Sequence, residues 1–332
     1  MGSWAQIVRA FVGPVSAVIM CRMLVRIGVV AFNTYREAVR ARILLGLFAA
    51  ALGTGGYSLV VGAFAVRNHL RVVSDLGALF ISLFGIITAV VLAASSLYRE
   101  VELKTLFPIL TRPIRRGEYL VGKFLGTVLT LAVFIAANAG ALFFALGNLA
   151  GQHLALVLGV GVGGTAALGF LAYWLPRWRV YVPIVWAVFL LGVGWVLAAG
   201  APDDRRVLGG LALLALLEVC VVAAIATVFA SFTSPFLTAV FTFGVFLIGR
   251  SADTLAHLPT SVFGEFIHDL ADGASRIVPN LMVYVPPRPL LLGHVPETPL
   301  GQYMLNATGQ AVLWTVGLLA FAQLVFRRRD FL

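Results

Sequence analysis

Charge is what this sequence has least of. Of its 332 residues only 11% are Asp, Glu, Lys or Arg, while 61% are hydrophobic and the mean hydropathy is +0.99. A water-soluble domain carries roughly a quarter of its residues charged, so a soluble fold is excluded. Cysteine is almost missing: Cys21 and Cys220 stand far apart, without the spacing of a zinc site or a disulfide framework. The histidines (His69, His153, His257, His268 and His294) all fall between apolar stretches, so no series of acids and histidines at membrane depth suggests a proton-driven carrier. No nucleophile, base and orienting residue lie near one another in the sequence, which leaves catalysis without a signature. Basic residues outnumber acidic ones, 24 to 14, but they are scattered between apolar segments and form no solvated patch with interleaved aromatics, so nucleic acid is not an expected partner.

What the chain does have is long apolar runs. Eight stretches are nearly free of charge: 43–65, 76–97, 124–147, 154–175, 182–200, 208–232, 235–249 and 307–326. Lipid cannot satisfy open backbone groups, and no ten-residue alternation marks a barrel, so these runs predict helices crossing a bilayer in an all-α polytopic protein. The shortest, 235–249, is expected to cross as well, extended back toward Phe232, because otherwise Arg327, Arg328 and Arg329 would fall on the side poor in basic residues. Basic residues gather before the first run, in 98–123, at Arg177 and Arg179, and at the C-terminus, whereas acids weigh on the other loops. By the positive-inside tendency both termini are expected in the cytoplasm. Residues 11–20 resemble a signal-peptide core, but Cys21, Arg22 and Arg26 follow where small residues should mark cleavage, so none is expected, and Met23 is an alternative start.

The expected organisation is a cytoplasmic N-terminus over 1–42 and one membrane domain over 43–332. Residues 22–40 predict an amphipathic helix at the inner interface. Its apolar face holds Val25, Val29, Phe32, Tyr35 and Val39, its polar face Arg22, Arg26, Asn33, Glu37 and Arg40, and Arg36 must snorkel or find a partner. A plain surface anchor would look the same. In the loop 98–123, Leu103, Leu106, Phe107 and Leu110 share a helical face away from Glu100, Glu102 and Lys104, which fits either a short helix below the membrane or a solvated connector. The outer segment 251–305 holds seven of the 14 prolines and reads as an ordered cap, with one amphipathic stretch placing Phe263, Phe266, Ile267 and Leu270 opposite Glu265, Asp269 and Asp272.

Several blocks in these regions resemble permease subunits of type-2 ABC exporters, in particular the NosY-like bacterial branch: NTYREAVRARILL (33–45), RVVSDLG (71–77), YREVELKTLFPILTRPIRRGEYLVGKFLG (98–126), SFTSPF (231–236) and FRRRDF (326–331). The most specific part is the spacing of Arg99, Glu100, Thr105, Pro113, Arg115 or Arg116, Gly122 and Lys123. The resemblance implies that 22–40 is a connecting helix and that the 98–123 loop docks on a separate ATPase. Arg99, Glu100, Glu102, Lys104, Thr105, Pro113, Arg115, Arg116 and Lys123 would then couple the two chains. It also implies a dimer of ATPase subunits that binds the ATP and magnesium, a second permease subunit, identical or not, and a place in the bacterial inner membrane. Type-2 permeases usually have six spans, so 154–200 reads as an added hairpin.

Three local features need weighing. Gly117 to Phe124 matches the glycine and lysine spacing of a phosphate-binding loop, but Phe124 stands where a Ser or Thr must hold magnesium, and the match is rejected. Glu218 is the one acid deep in a run and should face a partner or an aqueous cavity, either for function or as a hydrogen bond between helices. Glu265, His268, Asp269 and Asp272 could present metal ligands on one face, but a single histidine makes a solvated acidic face the better reading. The alternatives to an exporter are a membrane enzyme acting on lipids, with His257, His268 and Asp269 in its cap, or a secondary transporter.

Overall fold

The computed structural model describes residues 14–65, 68–102, 116–256, 273, 278–294 and 299–328, and among these it contains no strand. The long helices are α1 (Pro14–Arg40), α2 (Arg42–Phe64), α3 (His69–Glu102), α4 (Arg116–Leu149), α5 (Leu154–Trp174), α6 (Val182–Leu197), α7 (Pro202–Ala230) and α8 (Pro235–Arg250). Two short helices, α9 (Ala252–Ala256) and α10 (Arg288–Leu291), precede the last long one, α11 (Leu300–Arg328). Proline marks the starts of α6, α7 and α8, where its missing N–H is no loss. Asp203 and Asp204 set negative charge against the positive N-terminal pole of α7.

Among the described residues, α2 to α7 and α11 are the seven helices long and apolar enough to cross a membrane, which makes the chain an all-α, multi-pass membrane protein. The eighth expected span differs. α8 has 16 residues, about 24 Å at 1.5 Å per residue, short of the ~30 Å hydrocarbon core. It does not reach back to Phe232, because Pro235 holds Ser234 in extended backbone and the chain turns through 231–234. Elsewhere the helices outrun their apolar stretches: α3 and α4 each have 34 residues.

The helices alternate in direction. Glu102, Arg116, the 175–181 connection, the 231–234 turn and the end of α11 gather at one end, the arginine-rich end; the opposite, proline-rich end carries 65, 68–69, 150–153, 198–201 and 278–294. α7 is apolar nearly all round and is therefore the central helix, with 67% of its apolar stretch buried against 6% for α5. α3 and α4 flank it. The expected added hairpin consists of two unlike helices. α6 is seated against α4, so close that a Cβ on Gly140 would lie 2.6 Å from the Leu190 carbonyl carbon. α5 leans on the outside, tied by the Trp186 indole N–H donating to Thr165 Oγ1 at 3.0 Å.

α1 begins eight residues earlier than the expected helix and packs along the first turns of α4. Val30 meets Gly122, and Ala31 and Thr34 meet Gly126. The buried face is therefore formed with Ala38 and Tyr35, while Val25 and Val29 of the expected apolar face stay exposed. The glycines account for the rotation: their missing side chains leave a groove that Val30, Ala31 and Thr34 enter. Of the expected cap, 278–294 is ordered against α7, with Leu281, Tyr284, Leu290 and Leu291 buried. Leu281 N–H donates to the Gly249 carbonyl at 3.0 Å. The expected helix over 263–272, with Glu265, His268, Asp269 and Asp272, and His257 beside it, lie outside the described residues.

Candidate functional site

Two polar assemblies occur at different heights in this apolar bundle. At the arginine-rich end, Arg99, Glu100 and Glu102 fall in the last turns of α3 and Arg116 opens α4, while Lys104, Thr105, Pro113 and Arg115 lie outside the described residues. The connection between α3 and α4 is thus narrower than the expected loop, since 98–102 and 116–123 are helical. Lys123 is turned inward. It is buried in the α1–α4 contact, with Nζ 3.8 Å from Glu37 Oε2 and stacked over the Tyr119 ring. One turn earlier, Arg26 Nη1 lies 3.8 Å from Glu118 Oε2. The polar side expected for α1 is real, but α4 rather than headgroups supplies the partners of Arg26 and Glu37. Because 116–124 is continuous helix, the glycine-lysine match forms no loop that could wrap a phosphate.

α1 is fastened at its other end too. The Tyr35 hydroxyl donates to the Val180 carbonyl at 3.1 Å, and Phe32 stacks on Tyr181 with ring centroids 5.2 Å apart. Burial pushes the Tyr35 phenol up to about 12, so it remains a neutral donor.

The second assembly surrounds Glu218, on α7. Its carboxylate is fully buried, accepts from Ser82 Oγ of α3 at 2.9 Å, and pairs with Arg250 Nη1 at 2.7 Å. Arg250 is the last residue of α8, so the shortness of that helix is what brings a guanidinium down to the level of the acid. Nearer the proline-rich end, Arg288 of α10 bridges Asp75 at 2.7 Å and Asp204, donates to Ser74 Oγ at 3.1 Å, and Arg71 flanks Asp75 at 3.6 Å. Both clusters line one cavity of about 320 Å³, whose walls also include Leu79, Leu211 and Leu291. Tyr284 lines it as well; its buried hydroxyl has no hydrogen-bond partner among the described residues, and burial, then the neighbouring Glu218 carboxylate, pushes the phenol far up.

Every acid in this cavity is matched by an arginine, which is how charge is tolerated in an apolar surrounding. Sequence reasoning found Glu218 as the outlier but not Arg250, 32 positions away, because α8 was read as running its full length through the bilayer. Asp75, Asp204 and Arg288 read as ordinary loop charges; only their meeting across three separate segments sets them apart. Among the described residues no three His, Cys, Asp or Glu side chains come together as a metal site. Comparison of the sequence with models of known families and with curated proteins finds no match.

Proposed function

We propose that the chain is the membrane-spanning permease subunit of an ATP-binding-cassette exporter, moving its cargo under the action of a separate ATPase. The observation that supports this reading is mechanical. The connection at 103–115 joins α3 and α4, two of the most buried helices, and α1 is strapped to the base of α4 by two ion pairs and a glycine groove. A push on that connection reaches the core of the bundle directly and carries α1 with it. In this reading the arginine-rich end faces the cytoplasm in a bacterial inner membrane, by the positive-inside tendency. An ATPase dimer docks there through Arg99, Glu100, Glu102, Lys104, Thr105, Pro113, Arg115 and Arg116, holding ATP and magnesium itself. A second permease subunit completes the pathway, and this chain performs no hydrolysis of its own.

The test is charge reversal. Glu100→Lys with Glu102→Lys sets like charge against a basic partner surface, where repulsion can cost several kcal/mol, each 1.4 kcal/mol being about tenfold in binding. The double variant should insert normally yet lose the co-purifying ATPase; full retention of ATPase and transport overturns the reading. A secondary carrier is favoured only by the Glu218–Arg250 pair lining a cavity, and it predicts transport that persists without any ATPase.

A further inference from the structure

We propose that the cleft between α5 and the bundle binds one anionic phospholipid, with an acyl chain between α5, α4 and α2 and its phosphate against arginines at the arginine-rich end. This goes beyond the exporter reading and needs only that the chain spans a membrane.

The cleft consists of two cavities of about 330 and 450 Å³ that share Thr165 and Trp186 in their walls. Together they follow α5 from Gly169 to Val157, roughly 18 Å at 1.5 Å per residue, close to the depth of one leaflet of a ~30 Å core. The walls are apolar, and their few polar groups are already engaged. Tyr35 donates to Val180, Thr130 Oγ1 to the Gly126 carbonyl at 2.9 Å, Thr165 Oγ1 to the Gly161 carbonyl at 2.8 Å, and Trp186 to Thr165. The lining hydroxyl and indole groups have their hydrogens already engaged, so a ligand in this space finds no side-chain donor free, which favours a hydrocarbon chain.

The mouth has the opposite chemistry. Arg36 and Arg40 flank the lining residues Tyr35 and Val39 on α1, and Arg177 and Arg179 lie just before the lining residues Val182 and Pro183. The Tyr35–Val180 hydrogen bond brings these two segments together. All four arginines are exposed; 154–200 lacks Asp and Glu, and Glu37, beside Arg36 on α1, is paired with Lys123 at 3.8 Å. Tyr173, Trp174, Trp178 and Tyr181, exposed around the same mouth, form the aromatic belt that marks headgroup level. Chain-shaped space below and cationic groups at headgroup height match an anionic lipid, whose phosphate basic side chains attract.

The experiment uses the full chain in nanodiscs of equal parts phosphatidylglycerol and phosphatidylcholine, extracted into mild detergent, with retained lipid counted by native mass spectrometry. Wild type should keep one phosphatidylglycerol in about tenfold preference over phosphatidylcholine. Replacing Arg36, Arg40, Arg177 and Arg179 by Gln should reduce that preference to below about twofold. Gly169→Leu puts a branched side chain on the wall of the first cavity, where a Cβ meets nothing within 4 Å, so this variant should fold with an unchanged melting profile and retain much less phosphatidylglycerol than wild type. Equal retention of both lipids by wild type, or a Gly169→Leu protein that keeps its phosphatidylglycerol, overturns the proposal.

Discussion

Glu218 is held by two neighbours of different kinds. Ser82 gives a hydrogen bond and Arg250 gives charge, and removing either arginine or acid alone strands the other in an apolar surrounding. Arg250→Leu should therefore lower the unfolding free energy by about 2–3 kcal/mol, while Arg250→Leu combined with Glu218→Leu should recover most of the loss. Glu218→Gln keeps a carbonyl oxygen to accept from Arg250 while its amide NH2 can donate to the Ser82 hydroxyl, so it should be tolerated better than Glu218→Leu. Thermal melts of the purified variants in detergent check both statements; additive losses in the double variant would mean that the pair is not coupled. At this scale the sequence was half legible. A lone carboxylate in an apolar run is conspicuous, but its partner sits at a helix end whose depth depends on where Pro235 starts α8. No local pattern records that Arg288 meets Asp75 and Asp204.

Between elements, two glycine pairs of identical spacing behave differently. A Cβ on Gly126 would lie 2.4 Å from the Ala31 carbonyl oxygen, whereas a Cβ on Gly159 or Gly163 meets nothing within 4 Å. Gly126→Ala should thus cost about 1–3 kcal/mol through overpacking of the α1–α4 contact. Gly163→Leu should stay within about 0.5 kcal/mol of wild type. Size-exclusion profiles after graded heating separate the two cases. The Gly-x-x-x-Gly spacing of Gly122 with Gly126 and of Gly159 with Gly163 permits close packing in both places; which helix arrives to use it is a tertiary matter. The same holds for α1, whose amphipathic period is readable while its buried side is not, because that side is set by which residues meet the glycines of α4, here Val30, Ala31 and Thr34. Apolar runs of about 20 residues located the spans well, but not their ends, since charged residues such as Glu100 and Glu118 continue α3 and α4 as good helix formers.

For the molecule as a whole, orientation is open to direct measurement. In a chain lacking Cys21 and Cys220, a cysteine replacing the exposed His294 should react with an impermeant thiol reagent on intact cells, and one replacing the exposed Arg177 only after lysis. The reverse pattern would invert the proposed topology. The pairing of charges also has a consequence for how the protein is made. The ribosome delivers Glu218 32 residues before Arg250, and Asp75 213 residues before Arg288. Asp75 already has Arg71 beside it, but the buried Glu218 has no arginine partner until Arg250 has emerged, so α7 is expected to settle in the bilayer together with α8 as one hairpin. The lock between α3, α7 and α10 at the proline-rich end closes only after Arg288 has been made. Truncated chains that stop before Arg250 would carry an unpaired carboxylate in α7, and it is there that a membrane quality-control protease would find its first substrate.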